Sequence, residues 1–231
     1  MKRILLVEML LVSLPIEVLG AETTCAQDSL FNYLSQGTCT IEDKVFQFTD
    51  FSRSGGPLST GITVVPLETP LDPGVQFLGN WSVDARDISV TQIAFTVFVN
   101  PFAEITESIK DNSLLLGEFK VIAAGSVSVQ ETKCLGGFNL DGSCDDGDLI
   151  NLLVNQSRLT DSATFSPVHL IDVRLKITVG GGDVETGAAS LQDFSVRFSE
   201  VPEPAECVTV CSALLGLVLM RFRSGQQSRQ S

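Results

Sequence analysis

Ile171-Asp-Val-Arg-Leu-Lys-Ile-Thr-Val179 alternates without a break: Ile171, Val173, Leu175, Ile177 and Val179 fall on one face of an extended chain, and Asp172, Arg174, Lys176 and Thr178 on the other. Successive side chains of a strand point to opposite faces, so this stretch predicts a strand with one face buried and one in water. Gly180-Gly-Gly182 opens a loop after it, and Phe194, Val196 and Phe198 alternate in the return segment. Together they predict a hairpin with a long loop. Ile88 to Val99 carries the same signal, with Ile93, Phe95, Val97 and Val99 aligned and Asn100-Pro101 ending the run.

Working outward, Phe46 and Phe48 alternate with Gln47 and Thr49, and Gly55-Gly-Pro57 turns the chain. Gly61 to Val65 is a short β-branched run, and Pro66, Pro70 and Pro73 mark an irregular connection. Val75 to Leu78 and the segment around Trp81 predict a hairpin over Gly79-Asn80. Leu114 to Glu131 predicts two strands broken near Ala123 to Gly125, with Val127 and Val129 alternating against Ser126, Ser128 and Gln130. Asp148 to Val154 suits either a buried strand or a short helix. Ser29 to Ser35 has room for one or two helical turns ending near Gly37. Eight to ten short strands with almost no helical periodicity predict a mainly β domain, an antiparallel β-sandwich or jelly roll with the phenylalanines as its core.

Charge divides the chain. Lys2 and Arg3 offset Glu8 and Glu17, while Arg221, Arg223 and Arg229 exceed Glu203 and Glu206 by one; with a total of −13, residues 21–200 carry −14. So acidic a body repels nucleic acid and anionic membrane surfaces, and favours solubility, cations or positively charged partners. Cys25 and Cys39 bracket one short segment and Cys134 and Cys144 another. In an exported chain such local pairs predict disulfides, whose connectivity the spacing alone leaves open. No Cys-x-x-Cys occurs and His169 is the sole histidine, which argues against zinc.

Both ends look like address segments. Lys2 and Arg3 precede an apolar run from Ile4 to Leu14, and Val18-Leu-Gly20 offers small residues for cleavage, the pattern of a secretory signal peptide over residues 1–21; an uncleaved anchor is the alternative. Val201-Pro-Glu-Pro204 stops any strand arriving from Phe194 to Ser199, because proline lacks the N–H a ladder needs. From Cys207 to Met220, with Cys207 and Cys211 on one helix face, fourteen residues pass without a charge before Arg221 and Arg223. That is short against the roughly 20 residues of a spanning helix, although arginines that snorkel extend its reach. A C-terminal transmembrane helix with a cytoplasmic basic tail is the expectation, and a helix packed on the domain the alternative.

Pro202, Glu203 and Pro204, the apolar run and the arginines resemble the PEP-CTERM sorting signal of Gram-negative bacteria and cyanobacteria. That resemblance implies recognition of the triplet by exosortase, a membrane processing enzyme, and cleavage nearby. It further implies transient anchoring in the inner membrane, then a surface or extracellular destination in bacteria that make extracellular polysaccharide. The body, through Cys39-Thr-Ile-Glu-Asp-Lys-Val-Phe46, Phe165-Ser-Pro-Val168 and Gly180-Gly-Gly182, is similar to an export-associated domain of unassigned activity. On these expectations the chain is a signal peptide (1–21), an extracytoplasmic β-sandwich (22–200) and a sorting segment (201–231).

Candidate chemistry is sparse. Asp141, Asp145, Asp146 and Asp148 lie close enough in sequence to gather oxygens around Ca²⁺, but their spacing fails the EF-hand pattern, and Asp and Gly also form plain solvated turns. His169 stands just before a strand, with no Gly-x-Ser-x-Gly to accompany it. Gly180-Gly-Gly182 lacks the Lys and Ser/Thr of a phosphate loop. Among aromatic residues with a polar handle there are Trp81 and Tyr33, which serve either as core or as a weak sugar platform. The expectation is therefore a non-enzymatic exported protein with a structural or adhesive role near polysaccharide, needing no cofactor. The alternative is a secreted carbohydrate-binding module or carbohydrate-active enzyme.

Overall fold

A computed structural model describes residues 23–101, 108–145 and 148–201. The signal-peptide segment and the sorting segment from Pro202 onward, including Glu203, Pro204, Arg221 and Arg223, lie outside the described residues, as does Asp146. Among the described residues no helix is long and apolar enough to cross a membrane.

Among the described residues thirteen strands build two antiparallel sheets. In chain order they are β1 (Asp28–Ser29), β2 (Thr38–Ile41), β3 (Lys44–Ser54), β4 (Thr63–Leu67), β5 (Gly74–Asp84), β6 (Ile88–Val99), β7 (Ser108–Leu116), β8 (Phe119–Ile122), β9 (Ser126–Leu135), β10 (Leu149–Asn155), β11 (Thr160–Val168), β12 (Leu170–Gly180) and β13 (Ala188–Val201). One sheet runs β10-β9-β12-β6-β3-β2; the other runs β1-β4-β5-β13-β7-β11, with β8 also paired to β13. The one α-helix among the described residues, α1 (Leu30–Gln36), is capped by Ser29, whose side chain accepts from Asn32 N, and ends at Gly37 with φ 87°. Seven residues cannot hold a helix alone, and α1 is fixed by burying Leu30 and Tyr33.

The predicted alternation of β6 and β12 is realised along its whole length. Ile93, Phe95, Val97 and Val99 face inward from β6, and Ile171, Val173, Leu175, Ile177 and Val179 from β12. Across the gap Phe77, Trp81, Phe194 and Phe198 meet Phe46, Phe48 and Phe95. Ring centroids stand 4.9 Å apart for Phe77 and Phe194, 5.3 Å for Phe48 and Phe95 and 5.7 Å for Trp81 and Phe194. Offset and edge-to-face pairs of this kind add to the burial of apolar area that drives two sheets together.

Three expectations need correction. The stretch from Val75 through Trp81 is one strand, β5, and no hairpin turns at Gly79-Asn80. Leu191 pairs with Trp81 and Asp193 with Leu78, so Gly79 and Asn80 lie opposite Gln192 alone, a bulge that absorbs the turn-like pair. Glycine is required there because a Cβ would meet the Trp81 ring at 2.8 Å. Second, β12 and β13 are not a hairpin: β12 pairs with β6 and β9, β13 with β5, β7 and β8, and the chain between them crosses from one sheet to the other. Their apolar faces bury against each other across the core. Third, the stretch from Leu114 to Glu131 belongs to three strands, because Gly117-Glu118 also breaks the run. Gly117 N and Glu118 N both donate to Asp193, and a Cβ on Gly117 would collide with the Asp193 carboxylate. The ambiguous stretch after Asp148 is strand β10, and the polar, proline-bearing β11 escaped notice altogether.

Both predicted disulfides are present. Cys25–Cys39, with Cα atoms 4.9 Å apart, fastens the N-terminal segment to β2, and Cys134–Cys144, at 5.7 Å, closes the loop that follows β9. Each closes a short loop and contributes about 3 kcal/mol in the chain-entropy account. Structural disulfides of this kind belong to oxidising compartments.

Phe95 touches Phe46, Phe48, Phe77 and Phe198, so it joins both halves of the aromatic layer. Phe95→Ala is expected to lower stability by about 3 to 5 kcal/mol in a urea unfolding curve with an unchanged slope.

Candidate functional site

The outer face of the six-stranded sheet carries the polar half of the same alternation. A groove of about 720 Å³ opens across β3, β6, β12 and β9. Thr49, Gln92, Thr96, Gln130, Thr132 and Lys176 line it, with Phe138 and Asn139 of the disulfide loop as one wall. The volume lies within the range of small-molecule sites, and its lining is hydroxyls, amides and charges set at strand spacing.

Two of its charged residues are committed to holding that wall. Phe138 N donates to Asp172 Oδ2 at 2.8 Å, and Thr96 Oγ1 donates to Asp172 Oδ1. Arg174 lays its guanidinium 3.7 Å from the centre of the Phe138 ring and donates through Nη1 to Gly142 O at 3.2 Å. Gly136 N donates to Leu170 O, and the Cys134–Cys144 bond closes the loop at its base. Asp172 and Arg174 thus pin the loop to β12, and Lys176 is the second exposed cation of the lining.

Of the aspartates proposed for calcium, the structure places Asp141 and Asp145 in this loop and Asp148 directly before β10, while Asp146 lies outside the described residues. Asp141 Oδ1 accepts from Ser143 N and Ser143 Oγ, bonds that hold its carboxyl below the usual range. Asp145 accepts from Asn139 Nδ2 at 3.1 Å, and Asp148 N donates to Asp145 O. The carboxylates of Asp141 and Asp145 serve as turn acceptors, and no group of three or more His, Cys, Asp or Glu side chains positioned for a metal occurs among the described residues. His169 is exposed in the joint between β11 and β12. Trp81 is fully buried, donating to Thr91 Oγ1 at 3.1 Å, and Tyr33 is buried with its hydroxyl donating to Ala26 O at 2.6 Å. Neither ring is open to a sugar.

A second polar cluster lies inside the sandwich. Glu131 and Lys133 of β9 and Asn112 of β7 are all 0% exposed. Burial raises the Glu131 carboxyl to about 7, against the opposing pull of Lys133, and burial also lowers the Lys133 amine, against the pull of Glu131. Continuing the alternation of Val127 and Val129 by two steps and then two more leads to these residues. The signal was in the sequence, in the register that Val127 and Val129 set.

Neither a family model nor a curated protein matches the chain. Among solved structures it is similar to the accessory secretory protein 1, 2 and 3 structure of Streptococcus pneumoniae, at 14% identity and a TM-score of 0.28, covering 58% of this chain and 88% of that one. A low-affinity xylan-binding module from Roseburia intestinalis gives 15% identity and 0.26, covering 68% and 96%. Another xylan-binding module gives 13% and 0.26, covering 67% and 97%. Superposition at that level is too loose to transfer a ligand or an activity.

Arg174→Ala removes both the ring contact and the bond to Gly142. Amide hydrogen exchange at Phe138 to Ser143 is expected to quicken by about tenfold, the equivalent of the 1 to 2 kcal/mol such a contact contributes, while β6 and β12 amides keep their protection.

Proposed function

We propose that the chain is an exported, non-enzymatic β-sandwich that holds extracellular polysaccharide along the groove of its six-stranded sheet. The observation that carries this reading is the groove itself: a shallow open trough that offers the amide of Gln130, the hydroxyl of Thr49 and the ammonium of Lys176, beside a Gln92 amide whose Oε1 accepts from Ser52 Oγ at 3.4 Å. Such groups pair with the hydroxyls of a sugar chain without demanding one particular sugar. The Phe138 ring is already covered by Arg174 on one face, so stacking adds little, and dissociation constants near the millimolar range follow. A two-carboxylate hydrolysis needs both acids free to act. Of the acids lining the groove, Asp172 is occupied on both oxygens, leaving Asp50, which favours binding over turnover.

Delivery follows from the two ends. The N-terminal segment directs export, and Pro202-Glu203-Pro204 with the apolar run and Arg221 and Arg223 forms the sorting segment, processed by an exosortase-type enzyme at the inner membrane before release to the surface or matrix. The two disulfides fit that destination.

Affinity electrophoresis of the exported protein through gels containing neutral or acidic polysaccharides tests the binding. Retardation by at least one of them is expected, with Lys176→Ala weakening it about three- to tenfold, the effect of a charge-assisted hydrogen bond of roughly 1 kcal/mol. Unretarded migration in every gel overturns the reading, and release of reducing sugar overturns its non-enzymatic part.

A further inference from the structure

The buried cluster joins the two sheets through groups that the groove does not use. Lys133 Nζ donates to Asn112 Oδ1, while Asn112 Nδ2 donates to Arg197 O at 3.2 Å and so holds the amide in place. Glu131 Oε1 stands 3.9 Å from Lys133 Nζ. The Asn112 amide faces the Glu131 carboxyl without closing a hydrogen bond of normal geometry, and neither carboxyl oxygen has a hydrogen-bond partner. The Phe165 ring of β11 lies 5.5 Å from Nζ. Asp161 of β11 and Asp111 of β7 are the other charged groups acting on the amine, and both are engaged elsewhere: Asp161 with Arg158 and Leu153 N, Asp111 with Ser199 Oγ.

As an ordinary ion pair this arrangement is poor. A buried carboxylate needs hydrogen bonds to offset the water it has lost, yet the amine gives its contact to a neutral amide and leaves both carboxyl oxygens bare. As a reaction site it is complete. The amine is desolvated, which favours the neutral form with a free lone pair. An amide carbonyl is held in contact with it, the proximity that replaces a bimolecular encounter. A carboxyl group stands beside both, and all three side chains are 0% exposed, which shields the carbonyl from bulk solvent.

We propose that Lys133 and Asn112 become joined by an amide bond between Nζ and Cγ, a covalent strut from β9 to β7 through the core, with Glu131 moving the protons. The Nζ lone pair attacks Cγ, and the carbonyl electron pair moves onto Oδ1. The Glu131 carboxylate takes one proton from Nζ and passes it to Nδ2. The Oδ1 pair then returns, the Cγ–Nδ2 bond breaks and ammonia leaves. Lysine amine plus asparagine amide becomes a secondary amide plus ammonia, Glu131 ends as it began, and no oxidant or cofactor is consumed. The product also repairs the polar accounts of the site: the lysine charge is gone, and the new N–H faces a carboxyl that had no donor.

Peptide mapping of the full chain, expressed with export and digested with trypsin, tests the strut by tandem mass spectrometry. The expected product is a branched peptide joining the Asn112 and Lys133 segments, lighter than their sum by one ammonia, with no cleavage after Lys133. Glu131→Gln is expected to lower the branched fraction at least tenfold while the separate peptides appear at full mass. Separate, unmodified Asn112 and Lys133 peptides from folded wild-type protein overturn the proposal. The wild-type digest decides the bond even where the Glu131→Gln chain does not fold; full linkage in a folded Glu131→Gln chain removes Glu131 from the chemistry.

Discussion

Among the described residues seven aromatic side chains stand between the sheets, and their stacking is what allows thirteen strands to act as a single body. Strand pairing alone would leave two twisted sheets with wet inner faces. The layer formed by Phe46, Phe48, Phe77, Trp81, Phe95, Phe194 and Phe198 removes that surface from water and sets the distance between the sheets. The Trp81 bulge follows from it, since the indole reaches the layer only by folding against the bare backbone of Gly79. The crossing between β12 and β13 follows too, because both strands put apolar side chains into the same gap.

Once one face of β6 and β12 is committed to this layer, the other face is polar by the geometry of the strand. That is how a groove arises with no dedicated motif. Its lining is the complement of the core pattern, and its wall is a loop held by a disulfide, a carboxylate and a guanidinium. Charges that look available in the sequence are therefore partly used for construction: Asp172 and Arg174 hold the loop, and Asp141 and Asp145 shape its tip. The chemistry left over is hydroxyl and amide groups with the exposed Lys176 ammonium and the exposed Asp50 carboxylate.

The parts of this fold legible in the sequence are those governed by local periodicity: β6, β12, the short helix with its Ser29 and Gly37 ends, and the apolar core residues. The cysteine pairs were legible because short loops leave few partners. What local pattern does not encode is which sheet a strand joins. Phe194 to Phe198 alternates equally well beside Ile171 to Val179 or across from it, and only the long-range pairing with β5 and β7 decides. Gly79-Asn80 has turn chemistry, yet a bulge accommodates the same residues when the partner strand continues. The groove was hidden because the outer faces of four strands become neighbours only through that pairing.

Glu131 and Lys133 show the converse case, in which local periodicity alone carries charged residues into the core. Val127, Val129, Glu131 and Lys133 share one face, so placing the two valines inside places the charges inside as well. A charge in such a position persists only where something offsets its lost hydration, and the partners here, an amide and a bare carboxyl, do so poorly for a lysine that keeps its proton. They do well for one that gives the proton up. The disulfides close loops of 14 and 10 residues at the margins of the sheets, whereas Asn112 and Lys133 lie on opposite sheets, 21 residues apart. Kinetic stability rests on a slow rate of unfolding, and that rate is set by contacts that must break early. Separation of the two sheets is such an event, and the interior polar cluster sits on the line along which they would part.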